Sequence, residues 1–77
     1  MTVEIDCAPG PIRPDTYFRT ICEKLGIEYF EPVSKFFGNW TWVMPDLTDE
    51  QKKVYDEFVG DYLKGLYEMG YIRYASF

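Results

Sequence analysis

The chain contains no histidine. The commonest general acid–base group and metal ligand is therefore missing, and any Ser-His or Cys-His nucleophile pair is excluded. Cysteine is nearly absent. Cys7 and Cys22 are the only two, and without histidine they cannot close a zinc site. Small secreted domains stapled by disulfides carry four or more cysteines, so these two are expected as buried, reduced thiols with no metal and no cofactor. Basic residues are few as well: 8 Lys and Arg against 13 Asp and Glu leave a formal charge of −5. The basic stripe of nucleic-acid binders is missing, so direct contact with nucleic acid is not expected. The partner such a charge favours is a larger protein with a basic surface. No apolar run approaches the roughly 18 residues of a membrane span. The N-terminus alternates apolar and acidic residues rather than opening on an apolar leader, and a cytoplasmic location is expected.

What the chain does have is rings. Six Phe, seven Tyr and two Trp occur in 77 residues. Each buried ring removes roughly 150–250 Å² from water, so a dense core is possible in one short domain spanning residues 1–77. Val3, Ile5 and Cys7 alternate with Glu4 and Asp6, the period of a half-buried strand. Pro9, Pro11 and Pro14 predict a rigid loop that ends it. A helix is predicted from Pro14 or Asp15, with Tyr17, Phe18, Ile21, Cys22 and Leu25 on one face and Gly26 as its left-handed stop. Ile27 to Pro32 reads as irregular. Residues 33–44 read as a hairpin turning at Gly38-Asn39, with Phe37 opposite Trp40 and Lys35 opposite Trp42. That register puts Val33, Phe37, Trp40, Trp42 and Met44 on one buried face. Thr48 and Gln51 form a capping box that opens a long helix to about Met69. Gly65 in this helix predicts a close backbone approach. Tyr71 to Phe77 alternates again as a last strand. The order β-α-β-β-α-β predicts an α+β domain of the ferredoxin-like, split βαβ kind, with two helices on one face of a four-stranded sheet.

Two groups of residues carry the functional reading. Asp46, Asp49, Glu50, Asp56, Glu57 and Asp61 face only Lys52 and Lys53 in the same stretch, and Glu68 projects to the same side. The helix dipole accounts for Asp49 and Glu50 near the start. It does not account for Glu57 and Asp61, one turn apart in mid-helix and mutually repulsive. The alternative to an acidic docking face is a solvated helix surface relieved by Lys53 and Lys64. Tyrosine is the second group. Tyr67 lies beyond the apolar arc of the long helix, and tyrosine is enriched at binding hot spots. The candidate partner-binding set is therefore Asp46, Asp49, Glu50, Asp56, Glu57, Asp61, Tyr67 and Glu68, with no catalytic or metal-ligating residue.

The acidic run together with Tyr55, Tyr62, Tyr67, Tyr71 and Tyr74 resembles small phage-encoded inhibitor proteins of the anti-CRISPR kind. That resemblance implies a stoichiometric, non-enzymatic inhibitor that occludes a surface on a larger, nucleic-acid-handling protein in the host cytoplasm. The alternative is a small structural or regulatory subunit, monomeric or homodimeric. A third reading rests on Gly10 to Arg19, where a strand, a loop with Gly and Arg, and a helix with Phe-Arg resemble the start of an acylphosphatase. That resemblance implies Arg13 or Arg19 as a phosphate ligand. Against it, the three prolines remove N–H groups that a phosphate cradle needs, and Arg13 reads equally as solvated or paired with a carboxylate.

Overall fold

The computed structural model describes residues 1–7 and 12–77. The predicted proline loop at Pro9 and Pro11, and with it the Gly10 cradle, lies outside the described residues. The elements run in the expected order: β1 (Thr2–Asp6), α1 (Pro14–Leu25), β2 (Ser34–Phe36), β3 (Asn39–Val43), α2 (Asp49–Glu68) and β4 (Tyr74–Ser76). The four strands make one antiparallel sheet in the order β2-β3-β1-β4. This is the ferredoxin-like α+β arrangement, with each helix crossing from one strand to another strand two places away.

The alternating pattern of β1 and β3 does what it predicts. Val3, Ile5 and Cys7, with Trp40, Trp42 and Met44, point to the helix side and are buried. They join Tyr17, Phe18, Ile21, Cys22 and Leu25 of α1 and Tyr55, Val59, Leu63 and Leu66 of α2 in a single core. Its centre is Trp42, fully buried and stacked on Phe18 at 4.1 Å between ring centroids. The indole N–H of Trp42 donates to the Phe30 carbonyl at 3.1 Å, which fastens the irregular 27–32 segment to the sheet.

Both helices are punctuated as their sequences require. Pro14 occupies the first turn of α1, and Gly26 ends it at φ 70 with the Ile27 amide donating to the Cys22 carbonyl. At the start of α2 the Thr48 hydroxyl accepts from the Gln51 amide at 3.1 Å, while the Gln51 side chain accepts from the Thr48 amide at 2.9 Å. The same Gln51 donates to the Leu25 carbonyl at 3.1 Å, so the capping residue of one helix also satisfies the end of the other.

The hairpin corrects the expected register. Ser34, Lys35 and Phe36 pair with Thr41, Trp40 and Asn39, and the turn residues are Phe37 and Gly38. The cause is β1. Its Cys7 amide donates to the Gly38 carbonyl at 2.9 Å and Asp6 pairs with Asn39, so both Gly38 and Asn39 are drawn into the ladder. The turn shifts back by one residue, leaving Phe37 at φ 55, a left-handed conformation that costs a non-glycine residue roughly 1–2 kcal/mol. The Trp40 indole N–H donating to the Phe37 carbonyl at 2.9 Å helps hold it there. Val33 and Phe37 are consequently exposed rather than buried, Phe37 to 84%. Lys35 keeps the helix-side face, with its ammonium 4.8 Å from the Trp40 ring.

Two further expectations are revised. The last strand is three residues long, because Tyr71 bonds back to the Leu66 carbonyl in the helix-ending turn and Ile72 is buried as a plug. Close approach to α2 occurs at Gly60, not Gly65. A Cβ on Gly60 would lie 3.2 Å from the Phe77 ring, whereas the described residues leave open space at Gly65. Phe77, the one residue after β4, lays its ring against α2 where Gly60 projects.

One core group is out of balance. The Tyr55 hydroxyl is buried and has no hydrogen-bond partner among the described residues. An unsatisfied buried hydroxyl costs about 1–3 kcal/mol. Tyr55→Phe keeps the ring and removes that cost, so it should raise the melting temperature by roughly 4–8 °C per kcal/mol recovered. A thermal melt that falls on this substitution would show that the hydroxyl is satisfied.

Candidate functional site

α2 is 20 residues long and sorts its side chains by period. Tyr55, Val59, Leu63 and Leu66 face the core. Glu50, Glu57, Asp61 and Glu68 recur at steps of seven, four and seven residues, so they align on the opposite side, and all four are exposed. At 1.5 Å per residue this acidic row is about 27 Å long. Asp49 and Asp56, also exposed, lie on the flank toward β4 and alternate there with Lys53 and Lys64. Asp46 precedes the helix, exposed, near the end of the sheet where the Met44 amide bonds the Met1 carbonyl. The seven acids of the sequence-chosen set thus divide into a continuous outer row of four, two on a flank they share with lysines, and one outlier, with Tyr67 as the eighth residue.

Tyr67 is 60% exposed and sits at the other end of α2 from Asp46 and Asp49. With Asp61 and Lys64 it lines a groove of about 560 Å³ between α2 and β4, whose far wall carries Arg73, Tyr74 and Phe77. Asp61 and Tyr67 are therefore the acidic and aromatic candidates that share one surface. The other tyrosines separate. Tyr55 belongs to the core and offers nothing to a partner. Tyr62 is half-buried and stacked on Phe58 at 5.0 Å. Tyr71 and Tyr74 are exposed near the groove's end of the domain.

Charge pairing sharpens the picture. The described salt bridges are Arg13–Asp15, Lys35–Glu31 and Arg73–Asp6, at 3.2, 3.4 and 2.8 Å. Arg19 lies 3.9 Å from the Tyr29 ring centroid and Lys24 lies 5.3 Å from that of Phe58. Five of the 8 cations are thus engaged by groups off the acidic row. The other three, Lys52, Lys53 and Lys64, are on α2 itself. Among the described residues none of the eight candidate residues makes a salt bridge. Arg13 and Arg19, the phosphate ligands of the acylphosphatase resemblance, point instead to a carboxylate and an aromatic ring.

The thiols are poor nucleophiles where they stand. Burial pushes Cys7 up to about 11, with the carboxylates of Asp6 and Asp15 adding to the shift. Burial likewise raises Cys22 to about 11, only partly opposed by Arg19. A buried thiol held in its protonated form is a weak nucleophile at neutral pH. Among the described residues no group of three or more Cys, Asp and Glu side chains is gathered as a metal site, and no helix is long and apolar enough to cross a membrane.

No family model, no curated protein and no solved structure matches this chain. Of the groove residues, Gly60 and Phe77 were not singled out by sequence, whereas Tyr74 and Lys64 were named without being placed together. Gly60 had a signal there, since it stands one turn from both Asp56 and Lys64, but the glycine at 65 drew the prediction instead.

Proposed function

We propose that this domain is a non-enzymatic protein-binding module, a stoichiometric inhibitor that docks the outer acidic row of α2 on a basic surface of a larger protein. The observation that carries the reading is the row itself: Glu50, Glu57, Asp61 and Glu68 aligned, exposed and without salt bridges among the described residues, while most cations of the chain are engaged elsewhere. Glu50 suits the helix dipole, but Glu57, Asp61 and Glu68 lie beyond the first turn on the same face and repel, so nothing in the stability of α2 calls for those three. A basic partner converts that repulsion into attraction and speeds encounter. Tyr67 at the edge of the row supplies the uncharged, ring-bearing contact that interfaces favour at their centres.

The target class that fits is a protein whose basic surface ordinarily holds a polyanion such as nucleic acid, which is the role implied by the resemblance to anti-CRISPR inhibitors. Occupying that surface with carboxylates on a rigid helix blocks it without chemistry. The test is titration of the purified target with the domain at two salt concentrations. Inhibition should saturate at a fixed molar ratio and weaken steeply as salt rises, because the row is solvent-exposed and screened. Catalytic, sub-stoichiometric inhibition, or affinity indifferent to salt, would contradict it.

A further inference from the structure

We infer that the α1 side of the acidic row, centred on Gly65, is a seam that receives a basic amphipathic helix of the partner protein. This rests on the inhibitor reading and names the kind of segment that the row meets. Val54, Phe58, Tyr62, Gly65 and Met69 recur at steps of four, four, three and four residues, so they form one stripe along α2 to its C-cap. Val54, Phe58 and Tyr62 are half-buried and Met69 is 63% exposed, so the stripe presents apolar surface outward. It follows the row closely: Phe58, Tyr62 and Met69 come one residue after Glu57, Asp61 and Glu68. α1 borders it, with Lys24 lying 5.3 Å from the Phe58 ring.

Gly65 marks where the segment sits. Glycine is the poorest helix former after proline, so one in mid-helix calls for a reason. Gly60 has its reason in the Phe77 ring, 3.2 Å from where a Cβ would stand. Gly65 has none, since a Cβ there would meet nothing within 4 Å among the described residues. It leaves a notch bounded by Asp61 and Glu68 on one side and by Tyr62 and Met69 on the other, the kind of hole that takes one side chain of a facing helix. Charge selects the side and the occupant. On the β4 flank, acids alternate with Lys53 and Lys64, and Lys64 stands one turn from both Asp61 and Glu68. A basic segment gains nothing there. On the α1 flank the one nearby cation described is Lys24, which closes the Phe58 end of the stripe and leaves the Tyr62–Met69 end open. Neither Asp61 nor Glu68 makes a salt bridge among the described residues. An apolar side chain seated over Gly65, with Lys or Arg one turn to either side, brings its cations to those two carboxylates. A wholly apolar segment leaves the carboxylates facing apolar surface. A wholly basic one leaves Tyr62 and Met69 uncovered.

The probe is a synthetic helix of Leu and Lys, its leucines on one face and flanked by lysines, beside a polylysine peptide of equal charge. Fluorescence anisotropy of each peptide with the full chain gives the dissociation constants. The Leu-Lys helix should bind at least about tenfold more tightly than polylysine, the margin of one well-seated side chain. Gly65→Gln fills the notch without adding charge. It should weaken the Leu-Lys helix at least about tenfold and leave polylysine binding unchanged. Its melting temperature should hold or rise, because the space is open and glutamine is the better helix former. Thr16→Gln, on the exposed side of α1, should change neither constant. Amide shifts on adding the Leu-Lys helix should centre on Tyr62, Gly65 and Met69. Equal affinity for the two peptides overturns the inference. So does a Gly65→Gln variant that binds the Leu-Lys helix as wild type does, or shifts centred on Tyr74 and Phe77. Glu57→Lys/Asp61→Lys separates this from the inhibitor reading, because it should abolish polylysine binding as well. Polylysine binding that survives it contradicts the row and this inference together, whereas row-dependent polylysine binding with a silent Gly65→Gln contradicts the seam alone.

Discussion

Trp42→Ala should remove a large share of this domain's stability. Trp42 has no solvent exposure, stacks on Phe18 at an interplanar angle of 8°, and is tilted against Trp40 at 6.1 Å. Its indole N–H also holds the Phe30 carbonyl. Truncation removes the ring that Phe18 of α1 stacks on and that the 27–32 segment is fastened to, leaving a cavity at the centre of a small two-layer domain. Phe or Trp to Ala changes in cores cost about 3–5 kcal/mol. A domain of this size has a total stability of about 4–12 kcal/mol at the usual value per residue. The expected drop in melting temperature is at least about 12 °C. Trp42→Phe should lose much less, since it retains a stacking ring and forfeits mainly the hydrogen bond to Phe30. Circular dichroism melts of the two variants make the comparison. A melting temperature for the alanine variant within a few degrees of wild type would mean the core is centred elsewhere.

Where local chemistry and long-range packing agreed, the fold was legible from sequence. The capping box at Thr48 and Gln51 depends on two residues three apart and formed as read. So did the Gly26 stop and the alternating faces of β1 and β3. The hairpin turn was misplaced because Gly38-Asn39 is the better local turn, yet β1 competes for both residues as ladder partners. Nothing within the hairpin's own sequence reports that competition, and the strained, exposed Phe37 is its result. Gly65 and Gly60 are equivalent by helical propensity alone. Only the path of the chain after β4, which brings Phe77 back onto α2, distinguishes them.

The acidic row was half legible. The unexplained mid-helix acids Glu57 and Asp61 could be identified because no capping or dipole argument covers them. Glu68 falls on their side by the same period, whereas Glu50, accounted for by the helix dipole, was not grouped with them. What sequence could not show is where the cations go. Arg13, Lys35 and Arg73 are each bound to an acid through the tertiary fold or a loop, and Arg73 reaches Asp6 from 67 residues away. Those pairings leave the net negative charge concentrated on one helix.

The central claim is that this row, rather than the rings alone, brings the domain to its target. The direct measurement is the association rate of Glu57→Lys/Asp61→Lys with the purified target at low and moderate salt, beside Glu23→Lys/Glu28→Lys as a control of equal charge change. Both outer-row positions are exposed, and the double reversal exchanges one like-charged pair for another beside Lys53 and Lys64, so helix stability should fall by about 0.2–0.5 kcal/mol per new like pair and the domain should stay folded. Association at low salt should slow by about 10–10³-fold, the range over which steering operates, and the gap from wild type should narrow as salt rises. The control pair should lose far less, because Glu23 and Glu28 lie off α2. A folded Glu57→Lys/Asp61→Lys variant that associates as fast as wild type at both salts would contradict the account.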